Sequence, residues 1–231
     1  AVLISYAFGG SKELMIVTSG NNAPDSVYLS RNTADLERVP LDGVATWIAT
    51  PFPVRLEDGT MDTARLAGGR LCRHPSGVDT ADVGQTVVYK QRISDDYIAP
   101  AIKDLRSARF HRFRANLIHC ITGNATGPMN WFDDEWWDTI CHTIRQIAKV
   151  AKQGGCRGLL IDPEVYSYPW WSYGILTETE GTDHAHRRGN KDFYDGKTYE
   201  ETRAKVRQRG REFARGINAE FEDPVVMFLH A

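Results

Sequence analysis

The sequence predicts an α/β protein built on a parallel β-sheet, and three observations support this prediction. First, short apolar runs alternate with stretches of helical periodicity, which gives a strand and a helix four times and then a fifth strand. Second, most returns between them are short, which favours parallel strands joined by right-handed crossovers. Third, the 231 residues, 42% hydrophobic and 25% charged, have the composition of an ordinary globular protein and fit one domain.

Five apolar runs account for the predicted strands, and turn-forming residues bound most of them. They lie at 14–18, 41–50, 116–122, 157–162 and 225–229. The fourth run is the clearest, because a glycine pair precedes it and its apolar residues continue up to Asp162. An uninterrupted run of this length is typical of a strand that is buried on both faces of a sheet.

Capping residues mark the helices between these runs. The predicted helices begin at Pro24-Asp25, at Asp95, at Asp133 or Asp134, and at the capping box of Thr198 and Glu201. Residues 51–94 lack a regular pattern, apart from a β-like patch at 86–89. We interpret this region as an irregular insertion in a single domain that spans residues 1–231.

Both a doubly wound sheet and a (β/α)₈ barrel fit this order of elements. No glycine fingerprint of the form GxGxxG or GxxxxGK[ST] follows a predicted strand, which weakens the nucleotide-binding fold. A complete barrel has eight strands in about 250 residues, whereas five strands are predicted here. We therefore expect a parallel (β/α) barrel of the TIM type that is partial or truncated, either a fragment of a longer protein or a shortened natural variant.

Charge and cysteine content argue against several classes of function. The net charge of -2 leaves no electrostatic footprint for nucleic acid, and no apolar run approaches the roughly 20 residues that a membrane span requires. No CxxC pair occurs, so a structural zinc site is not predicted. Cys72, Cys120, Cys141 and Cys156 lie far apart, and free buried thiols are favoured over disulfides, without fixing the compartment.

Two carboxylates at the end of the fourth strand are the leading candidates for chemistry. Side chains alternate along a strand, so Asp162, Glu164 and Tyr166 share one face if the extended path continues. Ligands bind at the C-terminal ends of strands in α/β sheets and barrels. An ionised Asp162 would raise the pKa of Glu164, which suits a general acid working near neutrality. The alternative is that both acids pair with arginines or cap the following turn.

The stretch Gly158-Leu159-Leu160-Ile161-Asp162-Pro163-Glu164-Val165-Tyr166 resembles the end of the fourth strand in barrel glycosidases, where the general acid/base glutamate lies. Asp162 and Glu164 also resemble the last two acids of the chitinase-like pattern Asp-x-x-Asp-x-Asp-x-Glu. Arg157 and Leu160 stand where that pattern has its earlier acids. The resemblance implies that Glu164 is the acid/base, and that Asp162 is its electrostatic partner or orients a substrate acetamido group.

Aromatic and polar side chains near the strand ends are candidates for sugar contacts. Aromatic faces stack on the apolar faces of sugar rings, and a histidine late in the third strand could hydrogen-bond a substrate or the acid pair. The alternatives are a hydrophobic cluster packed under long loops and a buried histidine satisfied by backbone. The predicted substrate-binding residues are Trp47, His119, Asn124, Trp131, Tyr166, Trp170 and Trp171.

The sequence thus predicts a glycoside hydrolase that acts on a poly- or oligosaccharide by carboxylate acid/base catalysis, without a cofactor or metal ion. Two alternatives stay open. One is a non-catalytic carbohydrate-binding module on the same scaffold, and the other is a metal-dependent hydrolase using His119, Asp162 and Glu164. A secreted bacterial protein that degrades polysaccharides fits the resemblance, whereas the residues themselves leave localisation, oligomeric state, sugar and linkage open.

Overall fold

The computed structural model describes residues 2–8, 11–18, 23–51, 54–55, 57–59, 61–62, 72–73, 79–82, 87–88, 90, 92–122, 129–163, 173 and 196–229. Within these ranges strands and helices alternate along the chain. The strands are β1 Val2–Phe8, β2 Ser11–Thr18, β3 Gly43–Thr46, β4 Ala49–Pro51, β5 Val54–Arg55, β6 Met61–Asp62, β7 Cys72–Arg73, β8 Asp79–Asp82, β9 Leu117–Ile121, β10 Gly158–Asp162 and β11 Val225–Phe228. The α-helices are α1 Ser26–Leu36, α2 Ala99–Ser107, α3 Asp134–Gln153 and α4 Tyr199–Glu220, and a 3₁₀ turn, Asp95–Ile98, precedes α2.

The main sheet has the strand order β1-β2-β3-β9-β10-β11. The five strands from β2 to β11 are parallel and lie side by side in chain order, so the predicted α/β fold with a parallel sheet is confirmed. At one edge β1 forms an antiparallel hairpin with β2. Sequence patterning did not predict β1, because its apolar run at the start of the chain carries no strand-specific alternation.

The predicted second strand, 41–50, is divided between two sheets. Its first part is β3, and its last part is β4, which joins β7 and β8 in a small antiparallel sheet. The cause lies at Trp47, whose N–H donates to the carbonyl of Pro24 and whose carbonyl accepts from the N–H of Ser26. The backbone therefore pairs with the start of α1 at this point and leaves the main sheet. The insertion contains β5 to β8 and is less irregular than predicted, whereas Val87 and Val88 form a turn and not a β-like patch.

The helices in the described ranges all contribute to one apolar core on one face of the main sheet. That core includes Leu29 of α1, Leu105 of α2, Ile144 of α3 and Ile217 of α4. Alternation along the strands divides their side chains between the two faces. Ile118, Leu159 and Ile161 are among those that enter the helix-side core, whereas Ala45, Leu117, Leu160 and Val225 form a smaller cluster on the opposite face. None of these described helices is long and apolar enough to cross a membrane.

Side-chain caps fix the start of three helices where the sequence predicted them. Asp25 accepts from the N–H of Tyr28 at 2.7 Å, and Asp133 accepts from the N–H of Trp136 at 2.9 Å. Thr198 and Glu201 form the predicted capping box at the start of α4. Each cap satisfies N–H groups that have no partner within the helix, so these boundaries could be read from the sequence.

Two strands of the main sheet begin with a glycine that has no room for a side chain. A Cβ on Gly43 would lie 2.4 Å from the carbonyl carbon of Ala115, and a Cβ on Gly158 would lie 1.8 Å from the carbonyl oxygen of Val225. Side-chain contacts also close this end of the sheet, since Asn116 accepts from the N–H of Val44 and donates to the carbonyl of Phe113. The N-terminal ends of the strands are therefore tightly joined, and the C-terminal ends carry the candidate site.

Candidate functional site

Three of the predicted site residues come together on neighbouring strands, two of them at or just beyond the C-terminal end and one in the middle of its strand. Trp47 directly follows β3, His119 lies in the middle of β9, and Asp162 is the last residue of β10. Thr46 pairs with Ile118 in the sheet register, so Trp47 lies beside His119. Leu160 pairs with His119, and Asp162 follows it two residues later on the same face. This is the face opposite the helices, since Leu160 belongs to the cluster on that side.

The three side chains are buried and in close contact. The ring of Trp47 lies over the ring of His119, with 4.0 Å between their centroids and an angle of 34° between the planes. The Nε2 atom of His119 is 3.7 Å from Oδ2 of Asp162. That distance is longer than a hydrogen bond, but it is short enough for an ion pair when the imidazole is protonated. We name this group the Trp47–His119–Asp162 cluster.

His119 is the unusual member of the cluster. Its side chain is only 3% exposed, and neither ring nitrogen has a hydrogen-bond partner among the described residues. Leaving a buried polar group without a partner costs about 1–3 kcal/mol, so such groups are rare, and a bound water, an ion or a ligand can satisfy them. Both nitrogens of His119 are thus available to a polar ligand, one as donor and the other as acceptor in the neutral ring.

The main chain at Asp162 is held by the neighbouring strand. The N–H of Thr122 donates to the carbonyl of Asp162 at 2.9 Å, and the hydroxyl of Thr122 donates to the same oxygen at 3.3 Å. Thr122 is a positioning residue that sequence reasoning did not single out. The available signal was a threonine at the end of the predicted third strand, since a threonine hydroxyl can hydrogen-bond a nearby backbone carbonyl.

Trp131, also predicted to contact sugar, lies on the helix side and does not join the cluster. It is 2% exposed and stacks on Trp137, with 5.1 Å between ring centroids. Its carbonyl accepts from Nε of Arg209 at 3.0 Å. The chain after β9 therefore places this aromatic between α3 and α4.

The other predicted site residues lie outside the described residues. They are the proposed acid/base Glu164 and the predicted sugar contacts Asn124, Tyr166, Trp170 and Trp171. Their roles stay predictions. Of the proposed catalytic pair, Asp162 alone is placed, at the strand end where the sequence predicted it.

The described cysteines have the character of structural thiols. Cys141 and Cys156 are free, and Cys156 is buried as predicted whereas Cys141 is only partly buried. Cys120 is buried in β9, and the side chain of Cys72 is not among those described. Burial raises the pKa of Cys156 to about 12, and burial together with Glu212 and Asp138 raises the pKa of Cys141 to about 11. Because the thiolate is the nucleophile, neither of these two side chains is suited to nucleophilic catalysis at neutral pH.

Metal coordination requires several ligands in one place. Among the described residues, no three His, Cys, Asp or Glu side chains come together as such a site requires. His119 and Asp162 are adjacent, and Glu164, the third ligand of the metal-dependent alternative, is not described.

Comparison of the chain with protein-family models, with curated proteins and with solved structures finds no match.

Proposed function

We propose that this protein is a glycoside hydrolase whose substrate site is the Trp47–His119–Asp162 cluster together with Glu164. The observation that carries the proposal is His119, a buried imidazole between an aromatic ring and a carboxylate, whose two nitrogens have no hydrogen-bond partner among the described residues. Sugars present closely spaced hydroxyl groups on an apolar ring, so they match a site that combines hydrogen-bonding groups with an aromatic wall.

The arrangement of layers supports a (β/α) barrel of the TIM type as the scaffold. A doubly wound sheet carries helices on both faces, whereas a barrel carries all of them on the outside. The described helices share one face of the sheet, and Ala45, Leu117 and Leu160 lie on the other. In a barrel that second face is the interior, and its C-terminal mouth is where the cluster would meet substrate.

Each residue has a distinct role in the proposed reaction. Glu164 donates a proton to the leaving glycosidic oxygen as its bond to the anomeric carbon breaks, and Asp162 stabilises positive charge at that carbon or orients a substrate acetamido group. A water molecule then attacks the anomeric carbon and returns a proton to Glu164. His119 binds a hydroxyl group of the sugar in the adjacent subsite. Trp47 fixes the plane of the imidazole, so that its nitrogens keep their direction when no substrate is bound. The substrate is a poly- or oligosaccharide, and this chemistry requires no cofactor.

Turnover and binding measured on the same substrates test the proposal. Wild-type protein is assayed against a panel of chromogenic aryl glycosides and oligosaccharides, and binding is measured by calorimetry. We expect Glu164→Gln to lose at least about a hundredfold in kcat, the range for a removed general acid, while substrate binding is retained. His119→Ala should weaken binding, whereas His111→Ala is the matched control, because His111 is exposed and the substitution keeps the backbone N–H that donates to Glu37.

The outcomes separate the alternatives. A carbohydrate-binding module would bind sugars without turnover, and Glu164→Gln would change nothing. A metal-dependent hydrolase would lose activity on treatment with a chelator and regain it when a divalent metal is added. If the wild-type protein neither binds nor cleaves any member of the panel, the proposal is wrong.

A further inference from the structure

The main chain of Trp47 is hydrogen-bonded to the residues at the start of α1. Its N–H donates to the carbonyl of Pro24 at 3.2 Å, and its carbonyl accepts from the N–H of Ser26 at 2.9 Å. The hydroxyl group of Thr46 donates to the same two carbonyls, at 2.8 Å to Pro24 and at 3.3 Å to Trp47. Both polar groups of the Trp47 main chain are therefore held by the beginning of one helix.

Ser26 contributes both its main chain and its side chain to this contact. In addition to the bond from its N–H to Trp47, its hydroxyl oxygen accepts from the N–H of Ala49 at 3.1 Å. Ser26 is 0% exposed, and Trp47 and Ala49 are also buried. One serine thus holds the chain on either side of Ile48, where the chain passes from β3 to β4.

These hydrogen bonds reach Trp47 from the helix side of the sheet, whereas its ring lies on the opposite side. Side chains alternate along a strand, and Val44 belongs to the helix-side core while Ala45 belongs to the cluster on the other face. Thr46 therefore faces the helices, and Trp47 faces the candidate site. Ser26 fixes the main chain of Trp47 without occupying space in the site.

The helix α1 is a firm support for this contact, because its start and its inner face are both fixed. The side chain of Asp25 caps the helix by accepting from the N–H of Tyr28 at 2.7 Å. Leu29 is completely buried in the helix-side core. A site residue attached to the first turn of such a helix is placed more precisely than one carried by a loop.

We propose that Ser26 is a positioning residue of the candidate site and holds the Trp47 ring over His119. The two ring centroids are 4.0 Å apart, so the imidazole cannot turn without displacing the indole. Precise placement matters for a site of this kind, since a displacement of about 1 Å can cost about a hundredfold in activity. The functional consequence rests on the proposed function, in which His119 binds a hydroxyl group of the sugar.

Two substitutions of Ser26 separate its side-chain bond from its main-chain bond. Ser26→Ala removes only the hydroxyl group. Ser26→Pro also removes the N–H that donates to Trp47, and α1 tolerates proline because Ser26 is its first residue. Asp25 already has the extended conformation that a residue before proline requires, with φ -85° and ψ 170°. Ser30→Ala is the matched control, since the Ser30 hydroxyl donates to a carbonyl within the same helix.

Nuclear magnetic resonance of the imidazole measures the ring contact without any substrate. The carbon-bound ring protons of His119 lie beside the indole, and the ring current of the indole displaces their signals. These signals are assigned by their absence in His119→Ala, and Trp47→Leu gives their position without an indole. We expect Ser26→Pro to move the His119 signals most of the way to that position, Ser26→Ala to move them less, and Ser30→Ala to leave them unchanged.

The same variants have a kinetic signature on any substrate that the wild type cleaves. Ser26→Pro should raise KM about tenfold and leave kcat within about twofold, because displaced Trp47 and His119 bind substrate less well while Glu164 still transfers the proton. Ser30→Ala should change neither constant. A variant that is merely destabilised contains less folded protein, which lowers the apparent kcat and leaves KM as it was.

Two results would overturn the inference. The first is that the His119 signals of both Ser26 variants coincide with those of the wild type, and Ser26→Ala alone decides this point if Ser26→Pro does not fold. The second is a displaced signal with an unchanged KM, which would mean that the ring contact does not serve substrate binding. If the wild type neither binds nor cleaves a sugar, the proposed function fails by itself, because the resonance experiment still decides whether Ser26 holds Trp47.

Discussion

Glu37, which directly follows α1, should contribute more to stability than its partly exposed position alone indicates. One oxygen, Oε1, accepts from the backbone N–H groups of His111, Arg112 and Phe113 at 2.9, 2.8 and 2.9 Å. These residues lead into β9, and the Arg112 side chain also bonds to the carbonyls of Val39 and Leu41. The carboxylate thereby ties the end of one helix to the start of the central strand.

The expected loss of stability on replacing Glu37 follows from the type of hydrogen bond that is changed. A bond to a charged acceptor contributes about 1.5–3 kcal/mol and a neutral one about 0.5–1.5 kcal/mol. Glu37→Gln keeps a neutral acceptor of the same shape, and the three donors share one oxygen in a partly solvated position. We therefore expect a loss of about 2 kcal/mol in the free energy of unfolding at pH 7, or about 4–8 °C in Tm for a chain of this size.

The same contacts predict how the effect depends on pH. Partial burial raises the pKa of Glu37, but the three backbone N–H groups outweigh it and lower the pKa below its ordinary value. A carboxyl group with a lowered folded pKa stabilises the protein above its unfolded pKa, and that stability is lost as the pH falls through the folded pKa. The difference between wild type and Glu37→Gln should therefore shrink as the pH is lowered from about 5 to about 2.

Urea unfolding followed by circular dichroism measures both effects. Asp35→Asn is the matched control near the same helix end, because the Asp35 carboxylate forms an exposed ion pair with Arg38 at 3.6 Å. That variant should lose no more than about 0.5 kcal/mol. If Glu37→Gln and Asp35→Asn are equally stable at pH 7, the three hydrogen bonds do not act as described.

Two further predictions concern packing and thiol reactivity. Gly158→Ala should lower the free energy of unfolding in urea by about 3 kcal/mol, because its Cβ would collide with the Val225 carbonyl. Gly210→Ala in α4 should raise it by about 0.5–1 kcal/mol, because a Cβ there would meet nothing within 4 Å. Equal changes in stability for the two variants would refute this reasoning. Cys156 should resist iodoacetamide at pH 8 in the folded protein and react in urea, read by mass spectrometry, because burial raises its pKa to about 12; rapid labelling without urea would mean that the side chain is exposed.

Sequence patterning predicted the parallel sheet because each apolar run is local and its ends carry local signals. The caps at Asp25, Asp133 and Thr198 are examples, since side chain and N–H lie within three residues of each other. The route of the chain after β3 could not be predicted in this way. It depends on hydrogen bonds between Trp47 and residues more than twenty positions earlier, and the pattern of apolar residues near Trp47 does not reveal these bonds.

The candidate site was predictable in part for the same reason. Strand ends and side-chain alternation place His119 and Asp162 near each other. That no other described residue hydrogen-bonds the imidazole depends on every neighbour in space, which the sequence does not give. The position of Trp131 shows why the placement of aromatic residues could not be predicted from the sequence. A tryptophan after a strand can turn to either face of the sheet, and stacking on Trp137 decides the outcome here.

The two ends of the parallel strands tolerate change differently. Replacing Gly43 or Gly158 forces backbones apart, so variation there should register first as lower yield of folded protein. If the C-terminal ends bind substrate as proposed, replacing His119 removes an imidazole that forms no hydrogen bond to a described residue, so variation there should register in ligand affinity more than in expression. A saturation library scored separately for abundance and for binding would therefore divide each strand into two halves, and redesign of specificity could proceed at one end without rebuilding the other.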